Sequence, residues 1–206
     1  MKWIYALVAV LIFPAAVIAQ EAGPDALVRG VTNEVLEIIS KDKDIQSGNT
    51  RKVLDLVEAK VLPHFNFTRM TQLAVARNWR EASPVQQKQL TDEFRTLLVR
   101  TYSKALTEYK NQTIVFKPFV MKPGETDVRV RTEIKQSSGG KPIPMDYFLE
   151  KSGNAWHVYD IEVGGVSLVI NYRESFANEV RSGGIDALIA TLQAKNKPAE
   201  SSSGKK

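Results

Sequence analysis

Residues 127–135 alternate without a break: Val128, Val130, Thr132 and Ile134 point one way, and Asp127, Arg129, Arg131, Glu133 and Lys135 point the other. Successive side chains of a strand point to opposite faces, so this stretch makes a strand that is dry on one side and wet on the other. That pattern belongs to an antiparallel sheet with a single buried face. Such a sheet is unstable alone, because the dry face needs a second layer to cover it.

The flanking residues extend the sheet. Ile114 and Phe116 begin a period of two, and Pro118 marks an edge or a bulge. Met145, Tyr147 and Leu149 alternate with Asp146, Phe148 and Glu150 between the turn residues Ser137-Ser138-Gly139-Gly140 and Ser152-Gly153-Asn154. The stretch from Trp156 to Val163 is apolar on both faces, as a central strand would be. Four antiparallel strands are therefore expected.

The covering layer comes from segments with steps of three and four. Leu27, Val28, Val31, Val35, Ile38 and Ile39 mark one amphipathic helix, and Val53, Leu54, Val57 and Val61 a second over 49–62, stopped by Pro63. A short helix is expected over 68–79. Ser83-Pro84-Val85-Gln86 then has the layout of a capping box with proline at the first helical position. The stripe Leu90, Phe94, Leu97, Leu98, Tyr102, Ala105 and Tyr109 makes a helix over 84–109, about 39 Å long. After Gly164-Gly165, the repeat Leu168, Tyr172, Phe176, Val180 reads as a helix ending near Gly183-Gly184, followed by a short one carrying Ile185, Leu188, Ile189 and Leu192. Helices, then strands, then helices give an α+β fold, with the long helix packed on a curved four-stranded antiparallel sheet. The space between a curved sheet and a helix can be packed solid or left open for a ligand.

The first residues read as an address. Met1-Lys2 is a basic start, Trp3 to Phe13 is apolar and uncharged, and small residues lead to Val17-Ile18-Ala19. This is the layout of a secretory signal peptide over 1–19 cut near Ala19, with an uncleaved anchor as the rival reading. The rest divides into one domain over 20–194 and a basic, disordered tail over 195–206, rich in serine and lysine. The formal net charge of +5 misleads, because body residues 20–194 hold 23 basic and 22 acidic side chains. A nucleic-acid binder should show a basic face instead. The chain has no cysteine, so disulfides, thiolate metal sites, a cysteine nucleophile and an acylated N-terminal cysteine are all excluded. The expected location is a bacterial periplasm, with the protein monomeric and free.

Catalytic candidates are few. His64 and His157 lie far apart in sequence, without the spacing of a metal site. Asp160 interrupts the strand of Trp156, Val158 and Ile161, where a buried carboxylate needs a partner. It is either a general base in a dry pocket or a structural acid paired with a tyrosine, with an arginine such as Arg173, or with backbone N–H groups. Gly164-Gly165 lacks the lysine and further glycines of a phosphate loop and reads as a sharp bend. Arg77-Asn78-Trp79-Arg80 is a weak nucleic-acid motif and an ordinary tryptophan-anchored helix end. Met70 and Leu73 read as core. The residues alone thus leave a carrier of apolar cargo, an enzyme using Asp160, and a ligand-free adaptor all open.

Several stretches narrow the choice. Val61-Leu62-Pro63, the passage from Trp79 to Ser83-Pro84, Trp156-x-Val158-Tyr159-Asp160, and Gly165-Val166-Ser167-Leu168-Val169 running into Asn171-Tyr172-Arg173-x-x-Phe176 resemble the MlaC family of periplasmic phospholipid-binding proteins, also called toluene-tolerance auxiliary components. The resemblance runs from about Asp25 to Leu192. It departs at Asn66, where an acid is expected, and at Ala76, where a glycine is expected. It implies a sheet related to the nuclear-transport-factor-2-like fold and an apolar cavity that takes acyl chains with the headgroup at its mouth. It also implies lipid shuttling between an outer-membrane lipoprotein complex and an inner-membrane ABC transporter complex, which maintains outer-membrane lipid asymmetry. Phospholipid would be cargo; no cofactor or metal is implied. On this reading Val128, Val130, Ile134, Tyr147, Leu149, Val158, Ile161, Val163, Val169 and Tyr172 line the cavity, roofed by Phe94, Leu98 and Tyr102.

Overall fold

The computed structural model describes residues 23–109, 112–137 and 139–197. The expected signal peptide lies outside the described residues, as does the expected tail beyond residue 197. Among the described residues, no helix is long and apolar enough to cross a membrane.

Helix α1 (Pro24–Lys41) leads through the single turn α2 (Lys43–Gln46) to α3 (Thr50–Lys60). Leu62–His64 then forms a 3₁₀ turn, because Pro63 cannot continue the helix. The helix expected over 68–79 is instead α4 (Phe67–Val75), followed by a 3₁₀ stretch, Ala76–Glu81. The break falls at Ala76, whose φ of 54° and ψ of −127° lie in a region that favours glycine. It is the one non-glycine residue with positive φ among those described. Holding an L-residue in such a region costs on the order of 1–3 kcal/mol. Ala76→Gly should therefore raise the unfolding free energy by about 1 kcal/mol, after the greater freedom of glycine in the unfolded chain offsets part of the gain. Urea denaturation would read this, and an unchanged or lower midpoint would refute the strain.

Helix α5 (Pro84–Thr107) opens with the expected capping box: the Gln86 N–H donates to Ser83 Oγ at 3.3 Å, and the Ser83 N–H donates to Gln86 Oε1 at 2.9 Å. The sheet follows as β1 (Thr113–Phe116), β2 (Asp127–Lys135), β3 (Ile143–Ser152), β4 (Ala155–Val163) and β5 (Val166–Ser167). Neighbours in sequence are neighbours in the sheet, all antiparallel. It therefore has five strands where four were expected. The fifth is formed by the chain doubling back through Gly164 and Gly165, whose φ values of 60° and 85° make a two-residue hairpin turn. A 3₁₀ turn, Ile170–Tyr172, then enters α6 (Arg173–Asn196), so the last helix starts later than its apolar repeat suggested. The kink at Gly183 and Gly184 joins the two expected C-terminal helices. A Cβ on Gly183 would stand 2.7 Å from that of Ala187, so only glycine allows so tight a bend.

Strand β4 is paired on both edges, as its two apolar faces suggested. One edge pairs with β3. The other edge takes β5 at one end and residues 65–66 at the other, where Phe65 bridges Val158 in parallel and the Asn66 N–H donates to Val158 O at 2.9 Å. The helical layer adjoins the sheet along this edge. Helix α5 packs chiefly against α3, α4 and α6. The dry face of the sheet is covered instead by α1, through Val28 and Leu27.

Candidate functional site

The expected cavity-lining residues divide between two apolar clusters. Phe94, Leu98 and Val169 are buried among α4, α5 and α6, with Tyr102 and Tyr172 packed against them. Val128, Val130, Tyr147, Leu149 and Val158 are buried on the dry face of the sheet, with Ile161 packed beside them. Ile134 and Val163 are half-buried, opposite Ile143 and Met145, and join neither cluster. The two clusters meet at Phe65, which packs against both. Sequence reading passed over this residue, although its place just after Leu62-Pro63-His64, in a break between helices, was a usable signal.

Register explains how β4 serves both clusters. Phe148 pairs with Asp160 and Leu149 with Val158, so Tyr159 is an extra residue in β4. Such a bulge flips the alternation. It puts Val158 and Ile161 on the same dry face and turns Asp160 away from it. The Tyr159 ring packs against the helical cluster and its hydroxyl donates to Asp127 Oδ1 at 2.8 Å. Burial, and the neighbouring Asp127 carboxylate, push the Tyr159 phenol well above the ordinary range.

Within the helical cluster, three rings meet. The Phe94 ring stands edge-on to Tyr172 at 5.1 Å and to Phe176 at 5.2 Å, and Tyr172 and Phe176 are 5.4 Å apart. Tyr102 reaches the same place: burial, the charge of Tyr172 and a hydrogen bond with it push its phenol up to about 12. The result is a packed aromatic cluster with two phenols at one side. On the sheet, Tyr147 is almost wholly buried and its pKa is raised for that reason.

Asp160 sits at the junction and is 4 % exposed. Its carboxyl accepts from Ser167 Oγ at 2.5 Å, from its neighbour Ile161 N–H at 2.8 Å and from Val169 N–H at 3.3 Å. Ser167 Oγ in turn accepts from Ile170 N–H at 2.8 Å. The acid therefore ties β4 to the chain leaving the Gly164-Gly165 turn and shapes the entry to α6. Arg173, an expected partner, is engaged elsewhere, donating from Nε to Leu73 O at 2.8 Å. Burial raises the Asp160 pKa against the pull of its three donors. Both oxygens are committed to the chain's own hydrogen bonds, which suits a clamp better than a base that must meet a substrate proton.

The histidines come closer than the sequence suggested. Pairing of residues 65–66 with β4 brings His64 toward His157, and burial together with His157 lowers the pKa of His64. Among the described residues, no group of three or more His, Cys, Asp or Glu side chains could hold a metal.

A concavity of about 470 Å³ opens where α4, the 3₁₀ stretch after it and the start of α6 converge. Arg69, Arg77, Arg80 and Arg173 line it, with Gln72, Leu73, Ala76 and Trp79. Leu73 and Trp79 pack against the helical cluster behind. Asn66 holds the nearby wall: its side-chain oxygen caps α4 by accepting from Arg69 N–H at 3.0 Å while its amide donates to Glu150 at 2.7 Å. The acid expected at this position could also cap the helix, but it would face Glu150 charge to charge.

Comparison with known proteins bears on this geometry. The family model described as "MlaC protein" matches residues 29–194. A toluene tolerance protein, ttg2D, of Pseudomonas putida is 27% identical over 182 residues, covering 87% of this chain and 83% of its own. An intermembrane phospholipid transport system binding protein, MlaC, of Haemophilus influenzae is 25% identical over 199 residues, covering 93% and 92%. A solved structure of a phospholipid-binding protein from Ralstonia solanacearum, in complex with a phospholipid, is 40% identical, with a TM-score of 0.77 over 85% of this chain and 97% of that one.

Proposed function

This chain belongs to the MlaC family, and from that premise we propose that it is a periplasmic carrier of phospholipid, exported by a signal peptide over 1–19. It holds acyl chains in its apolar interior and leaves the headgroup toward solvent. It receives and delivers lipid between an outer-membrane lipoprotein complex and an inner-membrane ABC transporter, and so keeps the outer membrane asymmetric. The observation that carries this reading is the Ralstonia solanacearum relative, 40% identical and bound to a phospholipid.

The physics supports the reading. Each buried methylene is worth about 0.8 kcal/mol, so a chain of ~14 methylenes contributes on the order of 11 kcal/mol before the costs of association. A dry interior is then enough to hold a lipid against water. The two clusters that meet at Phe65 supply the walls: one side from Val128, Val130, Tyr147, Leu149, Val158 and Ile161, the other from Phe94, Leu98, Tyr102, Val169 and Tyr172. Acyl chains enter by parting these two clusters, since they belong to different layers joined mainly along one edge of β4. Native mass spectrometry of protein purified without detergent tests the reading. The expected result is the protein mass plus a whole number of phospholipids. Bare protein that also fails to take lipid from vesicles would leave the ligand-free adaptor as the better description.

A further inference from the structure

The arginine-lined concavity is the feature that lipid carriage by apolar walls leaves unexplained. Arg69, Arg77, Arg80 and Arg173 converge on one space of about 470 Å³, and no acidic side chain lines it. Like charges brought together in a concave site repel, and they focus a positive potential into it. Their internal partners are few. Arg173 donates to the Leu73 carbonyl, Arg69 stands 3.7 Å from Glu150 and stacks on Tyr159, and Arg69 Nε is buried without a hydrogen-bond acceptor. Arg77 and Arg80 are exposed and take part in none of the ion pairs formed among the described residues. The strained residue Ala76 lies in the same wall.

We propose that this concavity binds a phosphate group, with Arg77 and Arg80 as its principal donors and Arg69 and Arg173 completing the positive field. Guanidinium is suited to the task, because its planar fork donates two parallel hydrogen bonds to a pair of phosphate oxygens. Leu73 and Trp79 form an apolar floor that continues into the helical cluster, so a phosphate held here stands at the edge of the chamber in which acyl chains are placed. The phosphodiester of the cargo's own headgroup fits that position. Free phosphate shares the chemistry. This inference rests on the carrier reading only for the source of the phosphate, not for the site.

The test compares wild type with R77Q/R80Q, a variant of two exposed residues whose fold is checked by its thermal transition. Isothermal titration uses three soluble probes: dihexanoyl phosphatidylglycerol, dihexanoylglycerol and inorganic phosphate. Wild type should bind the phosphorylated lipid about tenfold or more tightly than the diacylglycerol, a ratio set by charge-assisted hydrogen bonds, and R77Q/R80Q should bind the two nearly alike. That result identifies the headgroup as the source. Binding of inorganic phosphate by wild type, lost in R77Q/R80Q without any change in lipid preference, identifies free phosphate and also supports the site. If neither arm responds to the double substitution, the site is not a phosphate site, and an acidic protein surface becomes the better occupant. Failure of wild type to bind either lipid would refute the carrier reading alone, since the inorganic phosphate arm reports on the arginines independently.

Discussion

Asp160→Ala should lower the unfolding free energy by about 3 kcal/mol, read from urea denaturation. The carboxyl accepts from three donors, and two of them, Ser167 Oγ and Val169 N–H, lie across the Gly164-Gly165 turn. Val169 is fully buried, so its N–H has no access to water once the acceptor is gone. Leaving buried donors without partners costs about 1–3 kcal/mol apiece. Ser167 Oγ, 3.2 Å from Val169 N, relieves part of that loss. Asp160→Asn separates the charge from the clamp. Burial raises the Asp160 pKa above its usual 3.8. Between that value and the raised one, the folded protein holds a proton that the unfolded chain has released, so stability falls as pH rises through this window. Asparagine does not titrate. The stability of wild type minus that of Asp160→Asn should therefore decrease from about pH 4 upward. A flat or rising difference would mean that the carboxylate is better stabilised in the fold than its burial allows. If Asp160→Ala changes stability by less than about 1 kcal/mol, the clamp is not what orders the entry to α6.

What the sequence disclosed about this site follows from how local each signal is. The strand Asp127–Lys135 and the capping box at Ser83 are written in neighbouring residues, and both stand where the pattern puts them. The family resemblance, carried by Trp156-x-Val158-Tyr159-Asp160 and the glycine turn after it, agrees with the matched family and with the solved relative. Long-range placement was less accessible. The two apolar faces of β4 marked a strand paired on both sides, but nothing within it reveals that its outer edge is shared between a two-residue strand and residues 65–66. The bulge at Tyr159 shifts the alternation by one and hides which side Asp160 faces. A long amphipathic stripe tells that α5 is buried on one side, not against which layer; its partners proved to be other helices, while α1 took the dry face of the sheet. The arginine concavity was beyond sequence for the same reason, since Arg173 lies nearly one hundred residues after Arg77 and joins it through packing of α6 on α4 and on the 3₁₀ stretch after it.

The division of the expected lining residues between two apolar clusters allows a test of where acyl chains lie, and Phe94→Ala is its most sensitive probe. Phe94 is wholly buried and its ring is the common neighbour of Tyr172 and Phe176. Removing it from a packed interior should destabilise the lipid-free protein by about 4 kcal/mol, the lost transfer energy plus the void left behind. A void beside an acyl chain is different, because a flexible chain can move methylenes into it and recover contacts that fixed side chains cannot. If chains reach the helical cluster, the loss measured on lipid-loaded protein should be markedly smaller than on delipidated protein. Leu149→Ala, in the sheet cluster and equally buried, provides the matching probe for the other wall. Loaded and delipidated samples of both variants, compared by thermal unfolding, then map the chamber. Rescue of both places chains between the two clusters, the arrangement proposed above. Rescue of Leu149→Ala alone confines them to the space between α1 and the sheet, and would return Phe94, Tyr172 and Phe176 to the role of solid core. Equal loss in both states for both variants would mean that no chain touches either cluster, and the walls assigned to the cargo would have to be abandoned.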